Sequence, residues 1–362
     1  MPWPSPGWRE LRSKIQGTDR MDKASIVGGM FGLAGELRAH SSALWCLNGH
    51  ELLLANARSG IAIAYDRLRP GQVWMPSYLC GTMLQGITDR SRVRFYAVDG
   101  RLEVSRGWLS EVSPNDLAVF IDYFGTLADR ALLQEASARG AWVLEDASQA
   151  LLTRGAGEFA DLVVFSPRKF LGVPDGGVLV SSRPGILGEF RLSPAPPGWR
   201  MKTLAAVVMR REFDLYGGER PWFTLSHEIE HECPVGYYAM SGLAAELLQC
   251  GFDYDQISAR RVANYGCLRK RLERFALFPQ WPAGCVPLGF PVRLANRDEV
   301  RRHLFEHEIY PPIHWPIRDI VSPEFSESHA LNAEILTLPC DQRHDAATME
   351  RMAAAVLAEA RR

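Results

Sequence analysis

Lysine is scarce in this chain: only five of its 41 basic residues are lysine, so amine nucleophiles are few. Neither sign of charge is in excess. The 41 lysines and arginines face 42 aspartates and glutamates, and a net charge of -1 offers no overall attraction to nucleic acid or an anionic membrane. No run of about 18 apolar residues occurs, which argues against a membrane-spanning helix. The start, MetProTrpProSerProGlyTrp, lacks the charged and apolar stretches of a secretory signal. The seven cysteines, at 46, 80, 233, 250, 267, 285 and 340, form no CxxC pair, against both a zinc ribbon and a disulfide framework. A soluble protein of the reducing cytoplasm is predicted, with no resident metal.

What is present is an ordinary globular composition, 47% hydrophobic and 23% charged over 362 residues, long enough for two lobes. Residues 1–50 read as an irregular arm, Pro/Trp-rich at its start, with a short helix expected after the glycines of 28–37. A helix-like run over 59–68 ends at ArgProGly, and residues 72–76 form a short strand stopped by proline. Apolar runs of strand length follow at 92–98, 117–124, 142–146, 162–166 and 178–181, with a helix near 128–139. Such continuous runs predict a mainly parallel sheet covered on both faces, with its ligand at the carboxyl ends of the strands. Asp122, Asp146 and Ser166 each close a strand and should share one rim. Residues 194–235 show no clean periodicity and read as a loop-rich excursion. Helices from 241 to 250 and on to 272 lead into a C-terminal lobe with a strand over 286–294, helices near 297–307 and 345–360, and a ProProIleHisTrpPro turn at 311–316.

Lys169 follows one strand and Asp146 ends another, 23 residues earlier. An acid to hold a pyridinium nitrogen and an isolated amine to form a Schiff base are what pyridoxal 5'-phosphate (PLP) chemistry requires.

Five stretches carry a family resemblance. AsnAlaArgSerGlyIleAlaIleAla from residue 56, ValTrpMetProSerTyrLeuCys from 73, LeuGluAspAlaSerGlnAla from 144, PheSerProArgLysPheLeuGlyValProAspGlyGly from 165 and MetSerGlyLeuAlaAlaGluLeuLeuGln from 240 occur in the order found in DegT/DnrJ/StrS aminotransferases. The resemblance covers roughly residues 50–360. It implies an α/β fold of PLP fold-type I: a large domain (1–245) with a mainly parallel seven-stranded sheet, and a smaller C-terminal α+β domain (246–362). It also implies a homodimer that moves an amine from an amino acid, glutamate or glutamine, to a keto-sugar or related ketone in a specialised-metabolite or polysaccharide pathway.

The resemblance assigns roles as well. Lys169 would carry the cofactor and move the proton, Asp146 would hold the ring nitrogen, and Gln149 would lie beside the ring and its 3-oxygen. Ala57, Arg58, Ser59 and Ser166 would take the phosphate, for which a helix start suits an anion. Tyr78 or Cys80 would cover the ring, and His314 and Arg343 are candidate substrate contacts.

Three departures stand out. Neither Tyr78 nor Cys80 is the usual stacking residue in its usual place, Tyr237 and Ala239 stand where relatives carry Asn and Arg, and Ser166 lies three residues before the lysine instead of about five. They leave open a dehydratase or lyase on a small substrate, or a non-catalytic ligand sensor of the same fold.

Two motifs compete. HisGluIleGluHis (227–231) has the HExxH spacing of zinc hydrolases, but the nearby Pro234 argues against a long helix, and no third ligand is evident. GlyAlaGlyGluPheAla (155–160) loosely resembles a dinucleotide loop but precedes a strand instead of opening a helix.

Overall fold

The structure, a computed structural model, describes residues 26–35 and 50–361. The expected helix after residue 37, the rest of the N-terminal arm and Cys46 lie outside the described residues.

The central sheet is built from β2 (His50–Leu54), β3 (Val73–Pro76), β4 (Val93–Tyr96), β5 (Leu117–Ile121), β6 (Trp142–Asp146), β7 (Leu162–Phe165) and β8 (Gly177–Ser181), extended by the two-residue strands β9 (Ser193–Pro194) and β10 (Tyr238–Ala239). Their order is β4-β3-β5-β6-β7-β8-β2-β10-β9. The five strands from β4 to β7 are parallel, whereas β8 runs antiparallel to both β7 and β2. The seven longer strands equal the expected number, six of them at runs read from the sequence and β2 at one that was not, and the two short ones raise the total to nine. Strands β5, β7 and β8 are buried throughout, which explains their unbroken apolar sequences.

Helix α1 (Ala57–Leu68) begins at Asn56, whose side chain accepts the Ser59 amide N–H at 3.1 Å. Its inner face buries Ile61, Ile63, Ala64, Tyr65 and Leu68, each large apolar side chain contributing about 1.5–3 kcal/mol. Gly60 brings that face against β7, since a Cβ there would lie 3.0 Å from Val164 Cγ2. At Gly177 a Cβ would lie 2.2 Å from the Asn56 carbonyl carbon, so only glycine lets β8 pass under the start of α1. Helix α2 (Arg130–Ala138) covers the β5–β6 crossover.

The stretch read as a loop-rich excursion is helical. Helix α3 (Pro197–Tyr216) starts with proline in its first turn, and α4 (Pro221–His231) follows four residues later. Along α3 the buried face carries Trp199, Thr203, Ala206, Val207 and Arg210, while Met201, Val208 and Leu215 are exposed. Polar side chains inside and apolar ones outside erase the hydrophobic period on which a sequence reading depends.

Helices α5 (Gly242–Cys250) and α6 (Tyr254–Leu272) lead into a second core. There β11 (Phe290–Arg293) pairs antiparallel with β13 (Ile335–Leu338). Helix α7 (Arg297–Glu306), the two-residue β12 (Ile309–Tyr310), α8 (Ser326–Glu334) and α9 (Ala346–Glu359) complete this part of the chain. The two-residue strand β1 (Val27–Gly28) pairs parallel with β12, which places Val27 in this core. From there residues 29–34 cross to the large sheet, where the Leu33 amide donates to the Val207 carbonyl and the Ala34 amide to the Gly172 carbonyl, both at 2.9 Å.

Candidate active site

Strand register places three of the predicted residues on one rim. Ile121 pairs with Asp146 and Asp146 with Val164, so Asp122, Asp146 and Ser166 stand at adjacent strand ends. Their surroundings differ.

Asp122 is fully buried and accepts the Ala128 amide at 2.8 Å. Its second oxygen has no donor in reach and faces the Glu145 carboxyl. Burial, then the neighbouring Glu145, push the Asp122 carboxyl well above the carboxylate range, so it is the neutral member of the pair. Glu145 in turn accepts from Arg130 at 2.6 Å and from the Gly157 amide at 2.8 Å. The GlyAlaGlyGluPheAla loop is thus stapled to a buried acid.

Asp146 is buried, with one carboxylate oxygen accepting the Ser148 amide at 3.0 Å. Gln149, three residues on in the turn that follows the strand, is also buried, and its Oε1 accepts the Phe124 amide at 2.7 Å. Its Nε2 has no partner. A buried amide donor left unsatisfied costs about 1–3 kcal/mol, so this atom marks a place where a ligand's acceptor belongs.

Lys169 closes a short 3-10 turn (Pro167–Lys169), its amide donating to the Ser166 carbonyl at 3.1 Å. His314 comes to the same place from the C-terminal core: its Nδ1 is 2.8 Å from Thr337 Oγ1, and its ring meets Phe124 edge-on at 5.6 Å. Burial, then the nearby Lys169 ammonium, push the His314 imidazole down to about 3, so it is neutral at physiological pH. Phe124 links the two sides of the site, since its amide holds Gln149 and its ring packs on His314. It does so with a φ of 56°, unusual for a residue other than glycine.

The aromatic wall was only partly legible. Tyr78 is completely buried, its ring 5.4 Å from Trp315 and its hydroxyl donating to the His314 carbonyl. Tyr123, which the sequence did not single out, donates to the Tyr78 carbonyl and lies near enough to Asp146 for that carboxylate to help raise its phenol, after burial and two other tyrosines. Cys80 is half-buried, with Sγ 3.1 Å from Thr82 Oγ1.

At the start of α1 the Ser59 hydroxyl is saturated within the chain, accepting the Gly236 amide at 3.2 Å and lying 3.3 Å from Asn56 Oδ1. Arg58 pairs with Glu230. Tyr237 donates its hydroxyl to Asp66. Arg343 donates to Asp341 at 2.8 and 2.9 Å and to the Met30 and Gly29 carbonyls at 3.0 and 3.2 Å, with its guanidinium over the Phe31 ring at 4.1 Å. All three of its nitrogens are engaged, so it is a strut for the 29–31 crossing and no free cation for a substrate.

The HisGluIleGluHis stretch lies on α4, contrary to the expectation drawn from Pro234: the helix ends at His231, before the proline acts. The His227 ring packs edge-on to Phe223 at 4.8 Å, and Glu228 pairs with Lys202 at 2.9 Å. Among the described residues no three His, Cys, Asp or Glu side chains gather as a metal site would.

A buried strand-end carboxylate, an unpartnered amide three residues later and a lysine beside a neutral histidine are a donor set that fits PLP. The family profile agrees over 247 of 362 residues: the DegT/DnrJ/EryC1/StrS aminotransferase profile matches residues 111–357, and the chain belongs to that family. Among solved structures, the aminotransferase TlmJ from Streptoalloteichus hindustanus superposes with a TM-score of 0.66 at 17% identity, over 92% of this chain and 98% of its own. The sugar aminotransferase CalS13 from Micromonospora echinospora gives 0.62 at 17% identity, over 93% and 100%. NtdA from Bacillus subtilis, solved with bound cofactor PMP, gives 0.62 at 15% identity, over 86% and 74%. At such identities the likeness establishes the fold. No curated protein matches the sequence. Among the described residues no helix is long and apolar enough to cross a membrane.

Proposed function

We propose that this enzyme transfers the amino group of an amino acid, glutamate or glutamine, to the carbonyl carbon of a keto-sugar or similar polyol-like ketone in a specialised-metabolite or polysaccharide pathway. The observation that carries the reading is the buried Gln149 Nε2, a donor without a partner three residues beyond Asp146.

When bound, PLP supplies a carbon that holds the amine and a ring that draws electrons from the donor's α-carbon. Asp146, its orientation fixed by the Ser148 amide, would hold a proton on the ring nitrogen. Gln149 Nε2 would donate to the ring's 3-oxygen. Lys169 Nζ would hold the cofactor and, once the donor amine has taken its place, the freed amine would accept the α-proton and hand it back on the other side of the transfer. Neutral His314 meets the substrate near Lys169 without adding a second positive charge. Ala57, Arg58, Ser59 and Ser166 line the phosphate end. Half-buried Cys80 is better placed to cover the ring than Tyr78, whose hydroxyl and faces are spent in the core.

A homodimer is part of this reading. Met201, Leu215, Tyr216 and Phe223 are more than half exposed on α3 and around α4, an apolar surface suited to a second copy. Residues 246–362 form the smaller domain, and the free thiols of the described cysteines suit a cytoplasmic setting.

The test is a half-reaction. Glutamate or glutamine added to the PLP-loaded protein should convert it to the pyridoxamine form, and a tagged keto-sugar should reverse the change. Release of a dehydrated product with no pyridoxamine form would move the enzyme to the lyase class.

A further inference from the structure

Glu230 bridges two arginines that the fold brings together from distant parts of the chain. Arg168 Nη2 donates to its Oε1 at 2.6 Å, and Arg58 Nη2 donates to its Oε2. Arg58 Nη1 adds bonds to the Glu230 carbonyl at 3.2 Å and to Gln85 Oε1 at 3.4 Å. Arg58 stands in the first turn of α1, and Arg168 immediately precedes Lys169. A cavity of about 240 Å³, lined in part by Arg168, Thr203, Ser226, His227 and Glu230, opens beside them.

Two guanidinium groups around one carboxylate leave an excess positive charge at a helix start, where backbone N–H groups also favour an anion. The serines offer less. Ser59's hydroxyl is already bonded to Asn56 Oδ1 and the Gly236 amide, and Ser166 stands only three residues before the lysine.

We propose that Arg58 and Arg168 form the phosphate clamp of the cofactor site and that Glu230 is its built-in competitor, an anion that leaves the clamp when phosphate enters. The inference rests on the PLP reading above. A phosphate monoester carries up to two charges and three terminal oxygens against one charge and two oxygens on Glu230, and paired guanidinium forks favour it. Glu230 is free to leave, since its side chain is 45% exposed and lies beside the cavity. Its helix stays in place meanwhile, because Lys202 pairs with both Glu228 and Glu232 at 2.9 and 2.7 Å. Arg168 above all, with Arg58, holds the Glu230 carboxyl down at about 2, so the competitor remains ionised throughout the working pH range.

The experiment titrates the apo full-length protein with PLP, and separately with pyridoxal, which lacks the phosphate, following the absorbance of the lysine adduct in wild type, E230Q, R168Q and the double variant. E230Q should tighten PLP about three- to tenfold, the scale of a partly exposed ion pair, and leave pyridoxal unchanged. R168Q should weaken PLP and remove the gain in the double variant; R58Q takes its place should R168Q fail to fold. Looser or unchanged PLP binding by E230Q, or equal effects on PLP and pyridoxal, overturns the clamp. A normal wild-type adduct on Lys169 alongside either of those results overturns the clamp alone, whereas no adduct in wild type removes the clamp and the PLP reading together.

Discussion

The Phe124 amide donates to Gln149 Oε1 at 2.7 Å, and this bond fixes which end of the Gln149 amide faces the site. With the oxygen occupied, Nε2 is left as a buried donor awaiting an acceptor. Gln149→Glu keeps the bond from Phe124 but turns that donor into an acceptor. PLP affinity should fall by about ten- to a hundredfold, the value of one buried hydrogen bond plus the repulsion that replaces it. Fluorescence titration with the cofactor measures it, and unchanged affinity would remove Gln149 from the ring's 3-oxygen.

Arg130 and Glu145 form a second relationship with a defined cost. Glu145 is fully buried and bonded to Arg130 at 2.6 Å, so Arg130→Ala removes the charged partner of a buried carboxyl group. Breaking such a pair from one side costs about 3–5 kcal/mol. Urea unfolding should show that loss, and a change near zero would mean that solvent reaches Glu145.

Asp122 predicts a pH dependence. Its folded pKa is raised above the unfolded value by burial and then by Glu145. Its contribution is therefore complete below the unfolded carboxylate pKa and is lost as pH rises toward and through the folded one. Asp122→Asn keeps an acceptor for the Ala128 amide and a neutral donor toward Glu145, so the variant should lose less stability than wild type as pH rises from about 4 upward. Melting temperatures across that range test this; parallel curves for the two proteins would contradict it.

His314 has the opposite sign. Its folded pKa, about 3, lies below the unfolded histidine value, so its contribution is present above about pH 6.5 and is lost as pH falls toward 3. Nitrogen-15 NMR should show a neutral His314 ring at pH 5, and titration of that ring between pH 6 and 7 would place it in water, away from Lys169.

The legible parts of this protein are local. Strand β6 was readable at its observed bounds, Trp142–Asp146, because its apolar opening, Trp142 to Leu144, follows Gly140 and ends on the acids Glu145 and Asp146. Gln149 was readable only through the family resemblance, since a lone glutamine at that spacing would otherwise read as a solvated face. Helix α3 was missed because its inner face contains Thr203 and Arg210 while Met201 and Leu215 face outward. Strands β2 and β13 were missed because His50 and Glu51 are exposed at the start of the first, and the second follows directly on α8 without a turn signal. The Glu230 bridge was illegible for a different reason: its partners lie 172 and 62 residues away in sequence. No spacing rule reaches so far.

The central claim is that Lys169 carries the cofactor, and one measurement addresses it directly. The protein is loaded with PLP, reduced with borohydride, digested and examined by mass spectrometry. The account predicts a phosphopyridoxyl group on the peptide containing Lys169, lost in Lys169→Ala and retained in weaker yield in Asp146→Ala. A label on Lys202 or Lys270 instead, or equal labelling of wild type and Lys169→Ala, would contradict it.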